Sequence, residues 1–152
     1  MPSLDKIINY HPVFDWLGTA GQPDREQLKD VRVAGYQAVI NLALVTSQNA
    51  IADEADLVVK LGMAYYHLPV LWENPKQTDL DRFFDLLDGL KGKKIFVHCV
   101  LNMRVSVFVY LYRIIKMGET EESARGDLLE IWQPDGIWKE FIIERLEFDP
   151  FI

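Results

Sequence analysis

Three short runs rich in β-branched and aromatic residues punctuate the chain: QAVINL at Gln37–Leu42, AYYHLPV at Ala64–Val70 and KIFVH at Lys94–His98. Segments with helical spacing of apolar residues separate them. This alternation constrains the fold more than any other feature. Parallel strands need a crossover of a dozen or more residues, usually a helix. Successive βα units then build a parallel sheet with helices on both faces. Trp16–Ala20 reads as an additional first strand. Pro23 opens a helix with Asp24 and Glu26 in its first turn, and Gly35 closes it. Ala50–Leu61 places Ile51, Ala55, Val58 and Leu61 at helical spacing, and Gly62 follows as a stop. Thr78 caps a helix whose core face is Leu80, Phe83, Phe84 and Leu87. Val105–Met117 is a strongly apolar helix, followed by helices over Glu121–Ile131 and Ile137–Phe148. Trp16, Phe83, Phe84 and Trp138 lie at core-like spacing and are assigned to packing. The expected fold is α/β, a three-layer sandwich with a central, mostly parallel sheet flanked by helices. In such sheets ligands bind beyond the carboxyl ends of the strands.

At 152 residues the chain fits a single domain spanning residues 1–152. Lys plus Arg is 16 and Asp plus Glu is 23, a formal charge of −7. An acidic surface argues against nucleic-acid binding, which rests on Lys/Arg contacts to phosphates. It leaves room for a small anion in one local positive pocket. Cys99 is the only cysteine, so neither an intrachain disulfide nor a Cys-rich zinc site can form. His11, His67 and His98 show no metal-ligand spacing, and no metal or organic cofactor is expected. The N-terminal MPSLDKIINY lacks the pattern of a signal peptide. The most apolar stretch, Val105–Tyr112, is far short of the ~20 residues a membrane span requires. A soluble, cytoplasmic protein without membrane partners is expected, and the sequence leaves its oligomeric state open.

The most informative segment is KIFVHCVLNMRVS, residues 94–106. A buried strand ends at His98, Cys99 lies on the loop, and an apolar helix starts about five residues later. Unpaired backbone N–H groups and the helix dipole favour negative charge at such a place. A thiol that acts as a thiolate is suited to it. Arg104 supplies a planar fork matched to phosphate or another oxyanion. The alternative is that Cys99 is simply a small buried apolar residue.

His98-Cys99 with Arg104 and Ser106 resembles the phosphate-binding loop of cysteine-dependent protein tyrosine phosphatases. GTAGQPDREQL at 18–28, YQAVINL at 36–42, YYHLPV at 65–70 and IFVHC at 95–99 occur in the order seen in a bacterial phosphatase-like family. That family is the beta-lactamase-hydrolase-like phosphatase domain, related to dual-specificity phosphatases, and the resemblance spans about residues 16–117. It implies a cysteine phosphatase-like fold, a phosphate-monoester substrate and no cofactor. Cys99 would attack phosphorus and form a phosphocysteine. Arg104 and the amides of Val100, Leu101, Asn102, Met103 and Arg104 would hold the equatorial oxygens. Ser106 would hydrogen-bond the sulfur, His98 would brace the loop through its ring nitrogens, and Gln22 of the GQP motif would border the pocket.

One departure stands out. The phosphatase pattern has five residues between Cys and Arg, whereas only Val100, Leu101, Asn102 and Met103 intervene here. Val105 occupies the usual Arg position, and one helical position is ~100° of rotation. Arg104 is therefore not expected to enter the pocket in the usual way unless the loop is rebuilt. Asn102 stands where the family has glycine; it tolerates positive φ, and its amide could donate to an anion. The four-residue gap matches rhodanese-type sulfurtransferases, which carry sulfur as a persulfide. QAVINL lacks their Asp-Val-Arg signature, which favours the phosphatase family. A catalytically weak phosphate-binding module is the third reading.

A phosphatase needs an acid to protonate the leaving oxygen. The resemblance places it on the loop after the HLPV-type strand, where Glu73, Asp79 and Asp81 are available. Asp79 and Asp81 sit in a first helical turn, where carboxylates serve the dipole. Glu73, on the loop itself, is the choice. Trp132-Gln133-Pro134-Asp135 resembles the Trp-Pro-Asp acid loop of larger tyrosine phosphatases but follows the cysteine, so it is discounted. His67 reads as a hydrogen-bonded sheet residue.

Overall fold

A computed structural model describes residues 3–152; Met1 and Pro2 lie outside the described residues. The chain runs β1 (His11–Phe14), β2 (Leu17–Ala20), α1 (Arg25–Val33), β3 (Ala38–Asn41), α2 (Glu54–Lys60) and β4 (Ala64–His67). It continues with α3 (Gln77–Gly89), β5 (Ile95–His98), α4 (Met103–Ile115), α5 (Glu121–Ile131) and α6 (Gly136–Leu146). The strands form one sheet in the order β1-β2-β5-β3-β4. The β1–β2 pair is antiparallel; β2–β5, β5–β3 and β3–β4 are parallel.

The side-chain period of two decides what each strand offers to each face. On β5, Ile95 and Val97 join the core built with α3, α4, α5 and α6, while Phe96 joins the opposite core with Leu28 and Val31 of α1 and Val58 of α2. Continuing the alternation sends His98 toward α2 and Cys99 toward α4. The sheet is thus covered on both faces, and α4 is the central helix. Every residue from Arg104 to Arg113 is buried, the signature of a helix surrounded by protein. Phe108 packs against Phe83 of α3 and against Trp138 and Phe141 of α6. Arg113 is satisfied by both Glu119 oxygens (2.8 and 2.9 Å) and by Asp127. Asp127 also bonds His11 (2.6 Å), so α5 holds the edge strand β1.

Several details differ from the sequence reading. β1 went unread because HPVF is short and carries Pro12, which an edge strand tolerates. Asp24 is the N-cap of α1 rather than a first-turn residue, in a reciprocal capping box with Gln27. Helix α2 begins only at Glu54, after a run of turns. Its buried positions are Glu54 and Val58, while Ala55 faces solvent. Thr78 does not cap α3: Lys76 is the cap residue, and its amide donates to Asp79 Oδ2 (3.1 Å). β4 ends at His67, yet Leu68 and Val70 still donate to Asn41 (2.8 Å) and Leu42 (3.0 Å), carrying the backbone to the sheet's carboxyl end. The core face of α3 is as expected. Among the described residues, no helix is long and apolar enough to cross a membrane.

Candidate functional site

The parallel strands β5 and β3 point their carboxyl ends at the segment between His98 and Met103. Cys99 follows β5 directly and is 1% exposed. Asn102 adopts the left-handed conformation (φ 69°) and serves as N-cap of α4, which starts at Met103. Asparagine thus performs the turn that glycine would otherwise supply.

The loop carbonyls are tied back one after another. Cys99 O lies 3.2 Å from His98 Nδ1, and Val100 O accepts from the Gln22 amide (3.0 Å). Leu101 O accepts from Asn9 Nδ2 (2.9 Å), and Asn102 O from the Ser106 amide (2.9 Å). Met103 O accepts from Ser106 Oγ (2.8 Å) and Trp132 Nε1 (3.1 Å). In a trans peptide the C=O and the following N–H point in opposite directions. Fixing these carbonyls outward therefore turns the following amides the other way. Among the described residues, the amides of Val100, Leu101, Met103 and Arg104 donate to no protein acceptor. Successive free N–H groups in such a turn form an anion-binding concavity.

A cleft of about 240 Å³ lies over this segment, lined by Trp72, Cys99, Val100, Leu101, Met103 and Arg104. Arg104 is the second residue of α4, and its Nη1 donates to Val70 O (2.8 Å). The shortened spacing therefore does not exclude Arg104 from the cleft, contrary to the expectation from helical rotation. Helix α4 begins straight after the left-handed Asn102, and Val105 turns into the core, fully buried. Two other expectations are corrected. Ser106 does not serve the sulfur: its one O–H donates to Met103 O, and its oxygen accepts from Trp132 Nε1 (3.1 Å). The Asn102 amide faces away from any anion, donating to Asn9 O (2.9 Å) and Thr19 Oγ1 (3.0 Å).

Behind the cysteine lies a buried charged group that the sequence reading missed. His98 is 0% exposed, and its Nε2 lies 2.7 Å from Glu54 Oε2 on α2. Glu54 is itself 3% exposed. Its other oxygen accepts from Gln22 Nε2 (2.9 Å), which also bonds Pro23 O. Burial pushes the Glu54 carboxyl up, but the hydrogen bond and charge of His98, helped by Gln22, outweigh it and hold the group below the usual glutamate range. Both His98 partners, the Cys99 carbonyl and the Glu54 carboxylate, are acceptors. Tyr65 faces the same carboxylate, and burial pushes its hydroxyl up to about 12. Of the two His98 ring nitrogens, Nδ1 faces the Cys99 carbonyl and Nε2 faces Glu54. The Gln22 main-chain amide holds the Val100 carbonyl, while its side chain bonds Glu54 and Pro23.

The signal for Glu54 was present. Ile51, Glu54, Val58 and Leu61 share one helical stripe, and a carboxylate on an otherwise apolar stripe points to a buried partner. Asn9 and Trp132 carried no such signal, because they reach the loop from sequence separations of 92 and 29 residues.

Glu73 is exposed on the loop after β4, one residue beyond the cleft-lining Trp72. Asp79 serves the start of α3, and Asp81 accepts from Gln77 (2.8 Å). His67 bonds Ala43 O (2.6 Å), a sheet-end role. Trp132 packs on Trp72, and Trp138 donates to Trp72 O (2.8 Å). Together with Arg104 on Val70, these contacts hold the loop after β4 above Cys99. No group of three His, Cys, Asp or Glu residues among those described could hold a metal ion.

No family model matches the chain, and no curated protein matches it. Solved structures do. A candidate phosphatase of the DUF442 family from Shewanella putrefaciens CN-32 is 33% identical over 95% of both chains, with a TM-score of 0.84. PTPMT1 in complex with PI(5)P superposes with a TM-score of 0.73 at 16% identity, over 91% of this chain and 97% of that one. A cysteine-to-serine variant of P. aeruginosa TpbA in complex with pTyr gives 0.67 at 13% identity, over 95% and 84%. The latter two show the shared fold. The first shows the family: with a third of its residues in common across nearly the whole of both chains, this protein belongs to the DUF442 family.

Proposed function

We propose that the protein is a cysteine-dependent phosphatase, soluble and cytoplasmic, that hydrolyses a phosphate monoester through a phosphocysteine at Cys99 and needs no cofactor. One observation carries this reading: a loop with its carbonyls tied outward and its amides free surrounds a cysteine, with Arg104 on the same cleft. Cys99 Sγ, as thiolate, forms a bond to phosphorus while the ester P–O bond breaks. The departing oxygen takes a proton, for which Glu73 is the available carboxylate on the loop after β4. Water then attacks the phosphocysteine; the P–S bond breaks, inorganic phosphate leaves and the thiolate is restored. The free amides and the Arg104 guanidinium hold the equatorial oxygens, which is the positioning and charge stabilisation that phosphoryl transfer mainly requires. His98 and Ser106 support the loop, Ser106 through the Met103 carbonyl. Neighbours that hold pTyr and PI(5)P favour a phosphate-ester substrate.

The test is hydrolysis of para-nitrophenyl phosphate across pH by wild type and Cys99→Ser. Turnover that is lost in the variant supports the mechanism; equal turnover in both refutes it. Sulfur transfer is the competing reading, carried by the four-residue spacing between Cys99 and Arg104. A one-sulfur mass gain on Cys99 after incubation with thiosulfate, without phosphatase turnover, would replace the phosphatase reading.

A further inference from the structure

We infer that Glu54 is the positioning residue of the oxyanion cradle, acting through His98 and Gln22. The inference rests on the reading of the Cys99–Arg104 loop as that cradle. Glu54 touches neither the cleft nor the loop. It does hold the two residues that tie down the first two loop carbonyls. His98, bonded to Glu54 Oε2, faces Cys99 O; Gln22, bonded to Glu54 Oε1, donates its own amide to Val100 O. These carbonyls belong to the peptides whose N–H groups are those of Val100 and Leu101, the first two free donors after the cysteine. One carboxylate on α2 thus sets the direction of two donors on the far side of β5.

The charge of Glu54 suits this task. A neutral acceptor would take a bond from His98, but an ionised one gives a shorter and roughly twofold stronger bond. Gln22 cannot turn its amide over to compensate, because Nε2 is already committed to both Glu54 and Pro23 O, while Oε1 is buried with no donor among the described residues. The groups facing Glu54 are His98 of β5, Tyr65 and His67 of β4, and Gln22 of the β2–α1 connection. No Lys or Arg lies among them.

The experiment compares wild type, Glu54→Gln and Gln22→Met at a temperature where all three are folded by circular dichroism. Sulfate is the probe, because its charge does not change across neutral pH. Sulfate affinity is read by calorimetric titration at fixed ionic strength, and kcat and KM for para-nitrophenyl phosphate are measured alongside. The expected result is about a tenfold loss of sulfate affinity in Glu54→Gln, with kcat falling more than KM rises. Gln22→Met keeps its main-chain bond to Val100 and is expected to lose less. A folded Glu54→Gln with wild-type sulfate affinity and kcat overturns the inference. If that variant does not fold, wild-type affinity in Gln22→Met overturns it instead. Absence of turnover in every protein, with sulfate binding still lost in Glu54→Gln, would remove the phosphatase reading and leave the positioning role standing.

Discussion

Replacing Gly21 by alanine tests how closely the GQP segment must approach the loop. A β-carbon built at Gly21 lies 2.4 Å from Val100 O, and 3.0 and 3.1 Å from the Ile8 side chain. Ordinary contact begins near 3.4 Å, so the Val100 carbonyl would have to retreat by about 1 Å, the difference between 3.4 and 2.4 Å. Gly21 has no positive φ, so alanine meets no backbone penalty and the conflict is one of contact alone. The obstructing atom is backbone, and it is held by the Gln22 amide at 3.0 Å. Strain from such overpacking costs ~1–3 kcal/mol and a lost hydrogen bond ~0.5–1.5 kcal/mol, together about 1.5–4.5 kcal/mol. For a chain of this size that is a fall in Tm of about 3–18 °C. Because the displaced carbonyl directs the Leu101 amide, sulfate affinity should fall as well. Gly18→Ala is the control: its β-carbon would lie 2.2 Å from Tyr36 Oη, on the opposite face of the sheet from the cleft. It should lower Tm while leaving sulfate affinity unchanged. Calorimetric scans and sulfate titrations of the two variants decide the matter. A Gly21→Ala protein with wild-type Tm and wild-type sulfate affinity would refute the argument.

Asn102→Gly should be more stable than Asn102→Ala by about 1 kcal/mol in urea unfolding, since both lose the bonds to Asn9 and Thr19 but only alanine carries a β-carbon at φ 69°. Arg104→Lys should lower sulfate affinity nearly as much as Arg104→Ala, because an ammonium cannot serve Val70 O and an oxyanion with one rigid fork; wild-type affinity in the lysine variant would show that charge alone suffices. The Glu54 carboxyl is depressed in the folded state, so its contribution to stability is present above the unfolded glutamate value near ~4.3 and is lost as pH falls through the folded value. Urea unfolding followed from neutral to acidic pH should accordingly fall less steeply in Glu54→Gln than in wild type, and parallel curves would contradict this.

The parallel sheet was legible because β3, β4 and β5 are short runs rich in β-branched and aromatic residues separated by helical segments, and the helices because their buried stripes recur at helical spacing. The cysteine loop was legible because a strand, a thiol and an apolar helix follow one another within thirteen residues, 94–106. What escaped was of two kinds. Rotation per residue was a poor guide to Arg104, since it assumes that the helix begins at a fixed place; a single left-handed residue before Met103 resets it. The supports of the loop escaped because they are long-range hydrogen bonds from Asn9, Gln22, Glu54 and Trp132, and local spacing carries no record of such partners. Glu54 is the instructive case. Its place on the stripe of Ile51 and Val58 marked it as inward-facing, whereas Ala55, chosen for its hydrophobicity, faces solvent.

The tied carbonyls of the loop have a thermodynamic consequence. Their donors come from Asn9, Gln22, His98, Ser106 and Trp132, which the chain brings together only when both faces of the sheet are assembled. No isolated segment can present the same row of amides, so affinity for an oxyanion reports on the completeness of the whole fold. The linkage runs in both directions. An anion that binds only the assembled loop stabilises the native protein by RT ln(1 + [L]/Kd), about 2.7 kcal/mol at a hundredfold excess over Kd. If the proposed phosphatase activity holds, phosphate set free by turnover would protect the protein that released it.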